Sequence, residues 1–202
     1  MFDAAARRLI DPSLNCIGRV LARQGVSANL VTLIGLGLGL IAALLIGLGH
    51  AWIAILPLLA SRLADGLDGA VARASQRTDF GGYLDITADF LFYGAIPMGF
   101  VMADPAQNGA AGAFLLTSFY VNGASFLGYA VMAEKRGMQT TAQGLKSLYF
   151  SNGILEGTET IGFFVALCLW PTHFSTLSWA FGTLCFATAA LRIYGASQTF
   201  RD

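Results

Sequence analysis

The chain has 202 residues, of which 55% are hydrophobic and only 12% charged, and its twelve basic and twelve acidic side chains leave a formal net charge of zero. A soluble domain usually carries about 25% charged residues, and the mean hydropathy here is +0.63. An integral membrane protein is therefore expected, and the charge balance argues against a nucleic-acid surface.

The first segment, residues 3–24, places Leu9, Leu14, Ile17, Val20 and Leu21 at helical spacing, with Arg7, Arg8, Arg19 and Arg23 between them. It reads as an amphipathic basic helix broken near Pro12, lying in the membrane interface or capping the bundle on its cytoplasmic side. The residues that follow Arg8 do not form an apolar h-region, so no cleavable signal peptide is expected. Six apolar stretches come next: Asn29–Gly49, Ala51–Ala74, Phe80–Met102, Ala110–Ala133, Phe150–Trp170 and Leu177–Ser197. Each is about 20 residues long, enough to cross a hydrocarbon core of roughly 30 Å. The expected fold is thus an all-α membrane protein, with a juxtamembrane helix over residues 1–25 and a domain of six transmembrane helices over 26–202. Cys16, Cys168 and Cys185 are widely separated, so neither a disulfide framework nor a zinc site is expected.

Basic residues set the orientation. Arg7, Arg8, Arg19, Arg23, Arg73, Arg77, Lys135, Arg136, Lys146 and Arg201 flank one set of helix ends, while the connections around His50, Asp104–Asn108 and Pro171–Ser175 have no Lys or Arg. Both termini are expected in the cytoplasm, with Trp52, Trp170 and Trp179 as an aromatic belt at the outer interface.

Charge is concentrated in one stretch, Asp65–Asp89, which holds Asp65, Asp68, Asp79, Asp85 and Asp89. Asp65 and Asp68 are three apart and Asp85 and Asp89 four apart, so each pair shares a helix face. Two adjacent antiparallel helices can then turn four carboxylates into one site. An acid in a spanning helix costs about 2.5–3.5 kcal/mol on the insertion scale, so a compensating cation is expected. Oxygen-only ligands suit Mg2+, Mn2+ or Ca2+ better than zinc. Gly66 and Gly69 leave bare backbone for a ligand, and Arg73 is suited to a phosphate. Solvated helix ends, a cation channel and a proton relay are the competing readings of the same acids. Asp79, near Arg77, reads as a turn residue.

The spacing D-x2-D-G-x2-A-R-x7-G-x3-D-x3-D, filled by Asp65, Asp68, Gly69, Ala72, Arg73, Gly81, Asp85 and Asp89, resembles the signature of the CDP-alcohol phosphotransferases, also called the CDP-alcohol phosphatidyltransferase family. Length and helix number match too, so the resemblance covers essentially the whole chain. It implies that an alcohol hydroxyl attacks a phosphorus of a CDP-linked donor and that CMP leaves. It also implies two divalent ions, Mg2+ or Mn2+, held by Asp65, Asp68 and Asp85, with Asp89 counted among the metal residues and acting as general base. Gly69, Ala72 and Arg73 would line the CDP pocket, with Gly81 as part of the motif. Upstream, Ser27–Thr32 resembles the family's P-N-x-x-T entry to its first spanning helix, with Ala28 in place of the proline. Asn29 and Thr32 would contact the nucleotide, although Asn29 would serve equally as a plain helix N-cap.

Two donor arrangements exist in the family: CDP-diacylglycerol giving a phosphatidyl group to a small polar alcohol, or a CDP-alcohol giving its headgroup to a lipid hydroxyl. The short chain resembles the bacterial first kind, in the inner membrane, and the family implies a homodimer. Candidate acceptor residues are Lys146, Tyr149, Glu156, Glu159 and Arg192. Clustered cations would suit a phosphorylated acceptor, whereas Glu156 and Glu159 would suit hydroxyls, an amine, or structural pairing with Arg62 or Arg192. Lys135 and Arg136 read as interface anchors. A divalent-cation transporter and a degenerate lipid-binding scaffold are the rivals from other classes.

Overall fold

The computed structural model describes residues 3–138, 155 and 157–200. These residues form seven α-helices and no strand: α1 (Asp3–Arg23), α2 (Ala28–Gly47), α3 (Ala51–Ala74), α4 (Asp79–Ala103), α5 (Pro105–Lys135), α6 (Gly157–Leu169) and α7 (Phe174–Thr199), the last preceded by a 3-10 turn at Pro171–His173. Among them α2, α4, α5 and α7 are long and apolar enough to cross a membrane. Helix α3 has the length, at 24 residues, but its mean hydropathy is lowered by Arg62, Asp65, Asp68 and Arg73. Helix α6 is apolar but covers 13 described residues, and the stretch expected to precede it, from Phe150, lies outside the described residues.

Local chemistry sets the helix ends. The Ser27 hydroxyl accepts from the Leu30 N–H at 3.3 Å and the Thr78 hydroxyl from the Gly81 N–H at 3.0 Å, each satisfying an orphan donor of a first turn. Asn29, one of the candidate N-caps, is therefore inside α2. Asp79 is not in a turn either: it is the first residue of α4, where a carboxylate complements the helix dipole. Gly25, with φ +80°, ends α1, and the Val26 N–H reaches back to the Leu21 carbonyl at 3.1 Å, the six-to-one bond of a Schellman end. Gly49 repeats the device after α2, where His50 donates to Leu45 at 2.8 Å. The expected break at Pro12 does not occur, and α1 runs through it. Pro12 is exposed, so the carbonyl it leaves unpaired can be hydrated.

The helices alternate in direction. Ser175 on α7 donates to the Gln107 carbonyl on α5 at 2.7 Å, and Arg136 after α5 donates to the Phe200 carbonyl after α7 at 3.1 Å, so α5 and α7 run parallel. Thr32 at the start of α2 meets Asp68 near the end of α3. One end of the bundle thus carries Trp52, Trp170 and Trp179, and the other carries Arg73, Arg77, Lys135 and Arg136. Close packing between helices relies on glycine. A Cβ at Gly99 would lie 2.5 Å from the Ala43 carbonyl oxygen, and one at Gly39 would lie 2.6 Å from the Phe92 ring. The buried core is aromatic, with Phe163 and Phe181 stacked at 4.0 Å and Phe92 and Phe164 edge-to-face at 5.9 Å. Large apolar side chains also cover the outside: Leu56 is 78% exposed and Leu44 62%, an arrangement that suits lipid contact and is penalised in water.

Candidate active site

Three helix segments meet at the arginine-bearing end of the bundle: the start of α2, the last turns of α3 and the first turns of α4. Spacings of three and four residues turn the α3 and α4 acids inward, and the structure brings Asp65, Asp68 and Asp85 together. One carboxylate oxygen from each lies within 4.8 Å of the other two. That spread fits a hard cation with oxygen ligands at about 2.0–2.6 Å. Asp68 is the most enclosed of the three, at 5% exposure. Its Oδ2 accepts from the Thr32 hydroxyl at 2.6 Å. The Thr32 oxygen also lies 3.1 Å from the Ala28 carbonyl, but a hydroxyl has one proton, and a carboxylate is the stronger acceptor. Thr32 therefore fixes the orientation of a candidate metal ligand.

Asp89 is placed differently. Its Oδ1 accepts from Arg62 Nη1 at 2.7 Å, and the same nitrogen lies 3.7 Å from Asp65 Oδ1. The fourth acid is thus beside the other three but committed to an arginine. Sequence reasoning placed Arg62 as a possible partner of Glu156 or Glu159; the structure pairs it with the motif acids instead. The signal was present: an arginine inside an apolar helix, three residues before Asp65, needs an acidic partner.

A cavity of about 390 Å³ opens beside the acids. Every expected nucleotide-pocket residue lines it: Asn29, Thr32, Gly69, Ala72, Arg73 and Gly81, with Asp68 and Asp85 on the same wall. Ser27, Gln76, Arg77, Thr78 and Gly82 also line it, none of them expected from the motif. Arg77 adds a second cation at the mouth. The two motif glycines act through clearance. A Cβ on Gly69 would sit 3.3 Å from Arg73 Nη1, and one on Gly81 would sit 3.1 Å from Asn29 Oδ1. Gly69 thus lets the Arg73 guanidinium fold back along α3, and Gly81 lets Asn29 of α2 approach α4. Gly66, expected to bare backbone to a ligand, instead faces α1, where a Cβ would lie 2.8 Å from Leu14. Arg73 Nη2 donates to Asn15 Oδ1 of α1 at 3.0 Å, so the amphipathic helix reaches the pocket wall.

The candidate acceptor residues are less complete. Lys146, Tyr149 and Glu156 lie outside the described residues. Glu159 is in the first turn of α6. Arg192 Nη1 donates to the Asn122 carbonyl, Asn122 Oδ1 and Ser125 Oγ at 2.8–3.0 Å, tying α7 to α5. Gly123, next to Asn122, packs on the Phe90 ring.

The profile of the CDP-alcohol phosphatidyltransferase family matches residues 26–194. Inner membrane protein YnjF of Escherichia coli (strain K12) is 41% identical over 202 residues, spanning 100% of this chain and 98% of that protein. Archaetidylinositol phosphate synthase of Pyrococcus horikoshii is 28% identical over 82% of this chain and 89% of its own length. Among solved structures, the phosphatidylinositol phosphate synthase of Mycobacterium tuberculosis with CDP-DAG bound superposes with a TM-score of 0.71 at 24% identity, over 91% of this chain and 93% of that one. The same protein in complex with manganese and citrate gives a TM-score of 0.69 at 24% identity, over 90% and 88%. The transporter alternative finds no support in any of these likenesses.

Proposed function

Because the chain belongs to the CDP-alcohol phosphatidyltransferase family, and is therefore a transferase of phosphate-containing groups, we propose that it moves a phosphatidyl group from CDP-diacylglycerol to the hydroxyl of a small polar alcohol and releases CMP. The observation that carries this reading is the approach of the Asp65, Asp68 and Asp85 oxygens within 4.8 Å of one another, on the wall of a cavity lined by Asn29, Gly69, Ala72, Arg73 and Gly81. The donor assignment is supported by the solved relative of the same fold, which holds CDP-DAG.

In this reading Asp65, Asp68 and Asp85 hold two divalent ions, Mg2+ or Mn2+, with Asp89 beside them, and the manganese complex of the solved relative supports the choice of metal. Such ions, when bound, neutralise the diphosphate and the departing phosphate oxygen. Thr32 keeps Asp68 aimed at that site. Arg73 and Arg77 draw the nucleotide phosphates in, and Asn29 and Gly81 shape the pocket where cytidine sits. Asp89 accepts the proton of the acceptor hydroxyl as its oxygen bonds to the phosphorus attached to diacylglycerol. The bond from that phosphorus to the CMP oxygen then breaks, and CMP leaves with the electron pair.

In this reading the chain spans six times, counting α3 and α6, with both termini and the acid site at the cytoplasmic face, and the distribution of basic residues supports that orientation. The proposed juxtamembrane segment, 1–25, contains α1, which packs on α3 where Gly18 meets Ala70, and the proposed transferase domain covers 26–202. Placement in a bacterial inner membrane is supported by the Escherichia coli relative, an inner membrane protein. The lipid donor would enter sideways from the cytoplasmic leaflet and the acceptor from below, toward Lys146, Tyr149, Glu156, Glu159 and Arg192. The two relatives named as inositol phosphate lipid synthases favour a phosphorylated polyol as the first acceptor to try. A homodimer completes the proposal.

The test is CMP release from CDP-diacylglycerol by purified protein with Mg2+ or Mn2+, screened against glycerol 3-phosphate, inositol phosphate, inositol, serine and glycerol. One acceptor should stimulate release, and Asp89→Asn should abolish it. An Asp89→Asn variant as active as the wild type would remove the base from the reading.

A further inference from the structure

The proposed transfer chemistry gives α1 no role, yet its side chains sort onto three faces. At about 100° per residue, Leu14, Asn15 and Gly18 share the side toward α3. Arg8, Arg19 and Arg23 share a second sector, and Ile10, Ile17 and Val20 a third. The first face is packed closely: a Cβ on Gly18 would lie 2.8 Å from the Ala70 carbonyl carbon, and Leu14 meets Gly66. Asn15, at the edge of that face, accepts from Arg73 Nη2 at 3.0 Å, and Arg73 lines the nucleotide cavity. The other two faces look outward. Ile10 is 39% exposed and Ile17 and Val20 are each 49% exposed, and the three arginines are exposed as well. Asp11 falls on the α3 side and is partly buried, so it does not offset the basic sector. That sector adjoins Asn15 and therefore the side of the cavity where Arg73 and Arg77 stand.

An apolar edge beside a basic edge suits a helix lying on an anionic bilayer. Water penalises the exposed isoleucines and valine, and hydrocarbon penalises the arginines, whereas the boundary between headgroups and acyl chains accommodates both. We infer that the two outer faces of α1 form a docking surface for anionic phospholipid headgroups in the leaflet beside the acid site, and that the Asn15–Arg73 bond makes the donor pocket responsive to the charge of that leaflet. A neutral surface satisfies only Ile10, Ile17 and Val20. Each arginine held at an anionic surface favours the docked form about fivefold, so the three together favour it about 10²-fold. A docked α1 holds Asn15, and with it Arg73, in place before the donor arrives. An undocked α1 opens locally more often and lets Arg73 swing away from the cavity. This coupling rests on the proposed function, in which Arg73 receives the phosphates of CDP-diacylglycerol.

Cys16 lies between the two outer faces and is exposed, whereas Cys168 and Cys185 are buried, so a bimane label on the wild-type chain reports this surface. The full chain is placed in nanodiscs of phosphatidylcholine, or of phosphatidylcholine with an equal share of phosphatidylglycerol. Both carry a lipid brominated at the headgroup end of its acyl chains. Quenching of the label should be several-fold stronger in the anionic discs. At about 1 M salt, where charges are screened beyond about 3 Å, it should fall to the neutral-disc value. The triple variant Arg8→Gln, Arg19→Gln, Arg23→Gln should give that value in both discs. Equal quenching of the wild type in the two discs, or a triple variant that still responds to phosphatidylglycerol, would overturn the docking surface. So would a label as shielded in detergent as in anionic discs, because protein would then cover the face. If the triple variant does not purify as a monodisperse protein, the salt arm on the wild type decides. The coupling is read in the KM for CDP-diacylglycerol, expected to be several-fold lower in anionic discs for the wild type. For Asn15→Ala it should be equal in both discs, with Cys16 quenched as in the wild type. A KM difference that survives Asn15→Ala, or a wild-type KM equal in both discs, would overturn the coupling. Failure of the proposed function shows separately, as a wild type that releases no CMP with any alcohol, and the quenching, which needs no activity, then decides the docking surface alone.

Discussion

Replacing Thr32 by valine removes one hydroxyl and little volume, and so separates the two roles open to this residue. In the structure the hydroxyl donates to Asp68 Oδ2 at 2.6 Å, and Asp68 is 5% exposed. A hydrogen bond to a charged group contributes about 1.5–3 kcal/mol, equivalent to about 10- to 150-fold in an equilibrium constant. Loss of partners that orient metal ligands elsewhere costs about 10- to 100-fold in metal affinity, so the two estimates agree. Thr32→Val should therefore raise the Mn2+ concentration for half-maximal CMP release by about 10- to 100-fold. At saturating Mn2+, kcat should return close to the wild-type value, because Asp89 is untouched and Asp68 again carries its metal. The assay is CMP release as a function of free Mn2+ at saturating CDP-diacylglycerol. An unchanged Mn2+ requirement together with a raised KM for CDP-diacylglycerol would refute the reasoning and return Thr32 to a direct nucleotide contact.

Three further outcomes follow from the geometry. Gly99→Ala drives a Cβ to within 2.5 Å of the Ala43 carbonyl oxygen. Because that neighbour is backbone, the cost should be about 1–3 kcal/mol, read as a lower thermal midpoint in detergent with the Mn2+ requirement of the remaining folded protein unaltered. Asn15→Ala removes the acceptor that steadies Arg73, bonded at 3.0 Å on an exposed surface; a charge-assisted bond weakened by solvent to about 0.5–1.5 kcal/mol predicts a several-fold rise in the KM for CDP-diacylglycerol and an unchanged kcat. Asp79→Asn, at the first position of α4, should leave CMP release intact and lower stability by about 0.3–1 kcal/mol through the helix dipole, measured by the same thermal assay.

The acid motif was legible because its spacings are local: three and four residues on a helix put side chains on one face whatever the helix packs against. The pocket residues Asn29, Gly69, Ala72, Arg73 and Gly81 came with the motif, and the structure lines one cavity with all of them. The cross-helix partners of the acids were less legible: an arginine inside an apolar helix needs an acid, but the sequence does not say which. Arg62 touches Asp89 from a different helix, 27 positions away, and Thr32 reaches Asp68 across 36. Such pairings depend on how α2, α3 and α4 pack. Gly66 illustrates the same limit: its sequence context matches that of Gly69, but one faces Leu14 of α1 and the other Arg73. Helix ends were read less well than helix interiors. Asn29 is a plausible cap by residue type, yet Ser27 takes that place, and Pro12 is carried inside a helix whose exposed side tolerates the unpaired carbonyl. Helix α3 falls short of the apolarity of α2, α4, α5 and α7 because the side chains that build the candidate site, Asp65, Asp68 and Arg73, lie within it.

The central claim is that four acids in a membrane bundle transfer a phosphatidyl group with divalent metals. Its most direct test uses CDP-diacylglycerol labelled with ³²P in the phosphate attached to diacylglycerol, incubated with purified protein, Mn2+ and the stimulating alcohol. The account predicts that the label moves into a new lipid in step with CMP release, and that EDTA or Asp89→Asn prevents both. Label that stays in CDP-diacylglycerol with every alcohol, or transfer that survives chelation, would contradict it.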